Sequence, residues 1–378
     1  MNKVSKTNRG LAVIYDPHNL YQFLWYYCNQ GKEKEWDALC LPNGYKGEYM
    51  HSYCEKAGIF KKIYRDDTDY SALSASKKLR TFWEMFFYFL VGKRTEYCKR
   101  ILNQFVCEEK YDEFVVIAAV GIVSGACIAL GKEKDVIILE DGITDYRDRP
   151  IFIPAKKIIS IYMWQGFILS FMGYCCPGWF RLKTDKDCIK YCSHPTLMKY
   201  RNYRQIRKLY EEEGTDKELF EKIVRRIYPE IIDCKPDEQE VLILTSPYKS
   251  YLSDYEKYKT RVEEYVKKCN YERVLLKKHP REDDVYQFGP GTRITEVSNG
   301  IPAEVLFPYF SNKEIIITSL SSSIISMKSY NIRCTVLFPK GMYEESIKSD
   351  SMAKPYSSEE IKDICDEFLN NNYTIVSI

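Results

Sequence analysis

The sequence predicts an α/β protein made of two consecutive doubly wound parallel sheets. Three observations predict it. Short apolar runs alternate with helix-period segments through the first 150 residues, the same alternation restarts near residue 237, and polar islands stand directly after several of the apolar runs. Alternating strand and helix signals require crossover connections, hence parallel sheets with helices on both faces. In such sheets, sites form beyond the carboxyl ends of the strands.

The first half opens with the strand run GLAVIY (10–15), followed by the helical LYQFLWYYCNQG (20–31) and a second run, WDALCLP (36–42). A helix near 47–57, the run IFKKIY (59–64) and a helical stretch around 73–106 come next, then FVVIAAV (114–120), a small-residue helix at 123–130, and DVIIL (135–139). Residues 151–236 read as a charged, mostly helical connection that either lobe could claim. The second half repeats the pattern with EVLIL (240–244), a helix at 253–268, RVLLK (273–277), TRITEV (292–297), the helix PAEVLFPYF (302–310), EIIIT (314–318), a helix through SIISMKSY (323–330) and CTVLF (334–338). The expected domains are therefore 1–150 and 237–356, with 357–378 carrying an amphipathic helix that could cross back to the first. No internal repeat or low-complexity tract interrupts this order.

Composition bounds the function. With 45% hydrophobic and 29% charged residues, the chain has the make-up of a globular protein rather than a disordered one. Its 56 basic and 53 acidic residues leave a net charge of +3, too small a bias to mark the whole chain as a polyanion binder. Fourteen cysteines are scattered, with one vicinal pair at Cys175 and Cys176 and no C-x-x-C, so reduced thiols are expected rather than a disulfide framework. The polar start MNKVSKTNRG lacks the apolar core of a signal peptide, which gives a cytoplasmic expectation. Against it stands IISIYMWQGFILSFMGYCCPGWF (158–180), 23 uncharged residues flanked by lysines and Arg181. A buried core helix, a membrane-surface helix and a span are all open readings of that stretch. MKYRNYRQIRKLY (198–210) interleaves basic and aromatic residues. It reads as a solvated face, or as a guide for an anionic glycan or lipid headgroup, so 157–208 is the expected peripheral membrane contact.

Three islands carry the chemistry. Glu140-Asp141-Gly142 follows DVIIL, Lys278-His279-Pro280-Arg281 follows RVLLK, and Ser321-Ser322-Ser323 follows EIIIT. A carboxylate at a strand end can take the proton of a hydroxyl as general base. An imidazolium flanked by Lys277, Lys278 and Arg281 can neutralise a phosphate. Hydroxyls and free N–H groups at a helix start bind anions without a metal. Each island also has an ordinary reading, as turn, turn and helix cap respectively. Asp67-Thr68-Asp69 could pass for a metal-binding D-x-D but lies in a polar loop-like stretch. No zinc spacing, P-loop or G-x-G-x-x-G is present in the sequence. A second histidine–proline pair, His194-Pro195, follows DCIKYCS with no strand run before it and is assigned to a turn.

The order and context of the islands resemble bacterial sialyltransferases that use CMP-sialic acid, of the lipooligosaccharide and polysialic acid types. That resemblance implies a GT-B fold, with two Rossmann-like domains facing one another across a cleft. It also implies inverting transfer of sialic acid to a sugar hydroxyl without a metal or other cofactor. It selects Glu140 as base with Asp141 second, and His279, flanked by Lys278 and Pro280, on the donor phosphate. Ser321 and Ser322 match the family's serine pair, with Ser323 in its small-residue position. IPAEVLF implies Glu304 at the cytidine ribose, LILTSPY implies Thr245 and Ser246 at the donor loop, and YDPHNLYQF implies Pro17, His18 and Asn19 at the sugar. Asp16 and Asn19 depart from the family's usual residues there. The implied partners are CMP-sialic acid and a glycan or glycolipid acceptor, with no nucleic acid. Alternatives are a CDP-glycerol-type transferase, which would not need Glu140-Asp141-Gly142, and a non-enzymatic membrane-peripheral scaffold.

Overall fold

Thirteen described strands form two separate all-parallel sheets. The structure is a computed structural model; it describes residues 8–41, 47–66, 80, 83–84, 87–88, 90–117, 121–140, 142–146, 187–198, 203–211, 213–246, 248–250, 252–280, 282–318, 323–327, 330–339, 357–369 and 372–378. The chain divides into two compact units, one of Met1–Arg149 with Ala155–Ile227, the other of Pro150–Pro154 with Tyr228–Ile378.

The first unit holds β1 (Arg9–Ile14), β2 (Glu35–Cys40), β3 (Phe60–Arg65), β4 (Glu113–Ile117), β5 (Asp135–Leu139), β6 (Ile189–Cys192) and β7 (Gln205–Lys208), in the spatial order β3-β2-β1-β4-β5-β6-β7. That order reverses between β1 and β4, the topological switch point of a doubly wound sheet. Strands β1, β4 and β5 are buried almost throughout, as a sheet covered on both faces requires. Leu11, Val13, Phe114, Val116, Val136 and Ile138 form one side of the core against Ala126, Cys127 and Leu130. Gly10 lets β1 pass the Trp36 ring, since a Cβ there would lie 2.3 Å from it.

The second unit holds β8 (Val241–Leu244), β9 (Arg273–Lys277), β10 (Arg293–Val297), β11 (Glu314–Ile317), β12 (Arg333–Phe338) and β13 (Tyr373–Ser377), ordered β10-β9-β8-β11-β12-β13. Its switch point lies between β8 and β11. The helix Tyr255–Cys269 packs Tyr255, Tyr258, Val262 and Val266 against Val241, Ile243, Val274 and Leu276.

Three expectations need correction. Residues 151–236 are not mostly helical where described: β6 and β7 extend the first sheet, and the helix Lys217–Ile227 follows. The amphipathic segment Ser358–Leu369 is a helix that leads into β13, which pairs with β12, so it belongs to the second unit rather than returning to the first. Its buried face is Ile361, Ile364, Cys365, Phe368 and Leu369. PAEVLFPYF is not an α-helix but two short 3-10 stretches, Ala303–Val305 and Phe307–Phe310, because Pro308 has no N–H to continue a helix. Each described cysteine is a free thiol. Among the described residues no helix is long and apolar enough to cross a membrane. The 158–180 stretch lies outside them.

Candidate active site

In the first unit, the candidate residues gather beyond the carboxyl ends of β1, β5 and β6. Asp16 caps the helix α1 (Pro17–Tyr26), accepting the Asn19 N–H at 2.8 Å, while Pro17 occupies the first turn, where its missing N–H has no consequence. Asn19 is buried, and its Oδ1 accepts the Tyr15 N–H at 3.2 Å, folding the loop back on β1. His18 is half-buried with its Nε2 2.9 Å from the Gln22 amide. Pro17, His18 and Asn19 therefore form a rigid helix start at the strand end.

Glu140 directly follows β5 and is 2% exposed. Its Oε2 accepts the Ser193 N–H at 2.6 Å and the Tyr146 hydroxyl, and its Oε1 accepts the Ser193 hydroxyl at 2.9 Å. A carboxylate offers about four lone-pair positions, so these donors leave one acceptor position open. Burial pushes the Glu140 carboxyl above its ordinary pKa, and the hydrogen bonds from Tyr146 and Ser193 act in the opposite direction. Burial and the Glu140 charge together raise the Tyr146 pKa, which keeps it a protonated donor. Gly142 has φ of 80°, the left-handed conformation for which glycine suits the turn. Asp141 lies outside the described residues.

Beneath this carboxylate sits a buried ion pair. Lys190 of β6 is 1% exposed; its Nζ lies 2.8 Å from Asp145 Oδ2 and donates to the Leu139 carbonyl at 2.8 Å. Burial would lower the Lys190 pKa, but pairing with Asp145 outweighs it and raises the value. The sequence reading missed Ser193, Tyr146, Asp145 and Lys190. It also denied His194-Pro195 a preceding strand, whereas β6 ends at Cys192, immediately before Ser193. The His194 N–H donates to Tyr146 Oη at 3.1 Å. The available signal was the parallel between the two His-Pro pairs, each two residues beyond a strand that contains a buried lysine, Lys190 or Lys277.

In the second unit, His279 follows β9 and is half-buried, with Lys278 and Pro280 on either side. Its backbone N–H donates to Thr245 Oγ1 at 3.2 Å, which ties the end of β9 to the loop after β8. The Thr245 hydroxyl donates to Glu282, a buried carboxylate that also receives Tyr286 and, at 3.0 Å, Tyr255. Thr245 thus directs its single proton into the protein, and its geometry is that of a residue shaping the His279 loop. Ser246 is buried beside it. Lys278 pairs with Glu296 at 2.8 Å. Lys277 is 6% exposed and donates to the carbonyls of Lys278 at 2.9 Å and Asn299 at 3.3 Å; burial brings its pKa down to about 8, with Glu304 acting in the opposite direction. Glu304 is itself buried in the 3-10 turn after Pro302. Ser323 is buried just before the short helix Ile324–Met327. Ser321, Ser322 and Arg281 lie outside the described residues. Among the described residues no cluster of three metal-ligating side chains occurs.

The geometry thus offers a buried, raised-pKa carboxylate at one strand end and a histidine loop at another, each in a doubly wound unit. The family comparison decides what kind of protein carries them. Residues 93–337, more than half of the chain, match the family described as "Alpha-2,8-polysialyltransferase (POLYST)". The chain belongs to the alpha-2,8-polysialyltransferase family. It is accordingly a glycosyltransferase of sialyltransferase type. No curated protein sequence matches it.

Among solved structures, this polysialyltransferase-family chain is similar to a putative UDP-N-acetylglucosamine 2-epimerase from Listeria monocytogenes, at 8% identity and TM-score 0.44, covering 97% of this chain and 89% of that one. It is also similar to MurG of Acinetobacter baumannii, at 11% identity and TM-score 0.42, covering 98% and 85%. A third is UGT71G1 of Medicago truncatula complexed with UDP-glucose, at 11% identity and TM-score 0.44, covering 97% and 90%. Within the chain itself, each half of the GT-B expectation, a doubly wound parallel unit, is present.

Proposed function

We propose that this polysialyltransferase-family protein transfers sialic acid, with inversion, from CMP-sialic acid to a sugar hydroxyl of a bacterial surface glycan. Glu140 takes the acceptor hydroxyl proton as the new bond forms between that oxygen and the anomeric carbon. The bond from the anomeric carbon to the phosphate oxygen breaks, and its electron pair leaves with CMP. His279, Ser321 and Ser322 stabilise the charge on the departing phosphate, in place of a divalent metal. Lys278 and Pro280 flank the phosphate, Glu304 and the Thr245–Ser246 loop lie toward the nucleoside, and Pro17, His18 and Asn19 toward the sugar.

The observation that supports this reading best is the state of Glu140. Burial raises its proton affinity while three donors fix its orientation, a combination that suits a general base. A carboxylate serving only a solvated turn would be exposed, and Glu140 is 2% exposed.

The test is donor hydrolysis and transfer with CMP-sialic acid, with CDP-glycerol as the competing donor, in buffer with and without EDTA. Turnover of CMP-sialic acid that survives EDTA, with Glu140→Gln and His279→Ala each losing roughly 10²–10⁴-fold, is the expected outcome. Near-wild-type turnover in either variant removes that residue from the mechanism, and turnover of CDP-glycerol alone overturns the donor.

A further inference from the structure

Two separate segments close on the Glu140 carboxylate. From the turn after β5, Tyr146 donates to Oε2; from the end of β6, Ser193 donates its N–H to Oε2 at 2.6 Å and its hydroxyl to Oε1 at 2.9 Å. The segments are themselves joined, because the His194 N–H donates to Tyr146 Oη at 3.1 Å. All three side chains are shielded, with Tyr146 4%, Ser193 5% and Glu140 2% exposed. The backbone is pinned as well, since Lys190 Nζ holds the Leu139 carbonyl and Asp145 together. A carboxylate gripped on both oxygens cannot rotate, so its remaining lone pair has one direction.

We infer that Ser193 and Tyr146 are positioning residues that hold the Glu140 carboxylate, as the anion, toward the acceptor hydroxyl. This inference rests on Glu140 being the base. Donors to a carboxylate favour its charged form, whereas burial favours the neutral acid. Removing a donor should therefore raise the pH below which Glu140 is protonated and inert. The titratable and charged groups that face it among the described residues are Asp145 and Tyr146 after β5 and Lys190 and Cys192 of β6, and the His194 ring lies against Tyr146, with centroids 6.2 Å apart. None of these is altered by Ser193→Ala.

The experiment is the pH profile of kcat/KM for CMP-sialic acid transfer in wild type, Ser193→Ala, Ser193→Thr, Tyr146→Phe and Glu140→Gln, with a thermal melt of each variant. In Ser193→Ala and Tyr146→Phe the acidic limb is expected to move up by roughly one pH unit. Ser193→Thr, which keeps both donors, should retain the wild-type limb. If Glu140→Gln is inactive but the limb stays at the wild-type pH in both folded variants, the positioning role is overturned and the base stands. If Glu140→Gln keeps near-wild-type activity, the base assignment itself falls and takes this inference with it. Should Ser193→Ala fail to fold, Tyr146→Phe, which removes only a hydroxyl, decides alone.

Discussion

The backbone N–H of His279 donates to the side-chain oxygen of Thr245, 34 residues earlier, at 3.2 Å. The direction is forced. Glu282 accepts the hydroxyl proton, so a lone pair of Thr245 is what faces His279. The His279 loop after β9 is thereby indexed to the loop after β8, at the switch point of the second sheet.

Thr245→Val should break that index while keeping the shape. It leaves the His279 N–H and one Glu282 oxygen without their partner, a loss of about 1–3 kcal/mol in urea unfolding. Thr245→Ser keeps the hydroxyl and should keep most of the stability and rate. Equal stability of Thr245→Val and wild type would show the hydroxyl to be dispensable.

Lys190 and Asp145 should behave as a coupled pair. Removing one partner strands a buried charge, so Lys190→Met or Asp145→Asn alone is expected to destabilise by about 3–5 kcal/mol. The double variant should lose less than the two single losses added. Strict additivity in the double-mutant cycle would mean that the 2.8 Å contact carries no coupling.

Lys277 makes a pH prediction of definite sign. Its pKa falls from 10.5 to about 8 on folding, so between those values the unfolded chain binds more protons than the folded one. Stability contributed by this group therefore rises from about pH 8 to about 10.5, by on the order of 3 kcal/mol at most. The check is the wild-type urea midpoint against pH, compared with Lys277→Met, in which this rise should be absent. Identical slopes in the two proteins would contradict the shift.

Gly10→Ala tests the first unit's core. The added Cβ would meet the buried Trp36 ring at 2.3 Å, so the ring or the strand must move. A destabilisation of about 1–3 kcal/mol is expected from such overpacking. An unchanged melting temperature would show that the β1–Trp36 contact is loose.

Much of the scaffold was legible because buried parallel strands are written as apolar runs. DVIIL, RVLLK and the EIII of EIIIT each became a strand, and the first two lead directly into the islands at Glu140 and Lys278. β6 and β7 were not legible. β6 is four residues with a lysine in it, IKYC, and that lysine is buried only because Asp145 neutralises it. β7, QIRK, is mostly exposed and carries no apolar run. β13 was hidden behind the amphipathic helix that precedes it.

For the site, residue types and strand-end positions made Glu140 and His279 legible as candidates, and the resemblance to sialyltransferases selected them. The partners were not, because Ser193 lies 53 residues from Glu140 and Glu282 lies 37 from Thr245. By itself, then, the sequence determined two parallel sheets, the islands at their carboxyl ends and the resemblance to sialyltransferases. The tertiary structure alone decided that β6 stands beside β5, and so set Ser193, just before the His194-Pro195 turn, against Glu140. The physical reason is that strand formation is written in local hydrophobicity, whereas burial of a polar group depends on a partner that only the folded sheet brings within hydrogen-bonding distance.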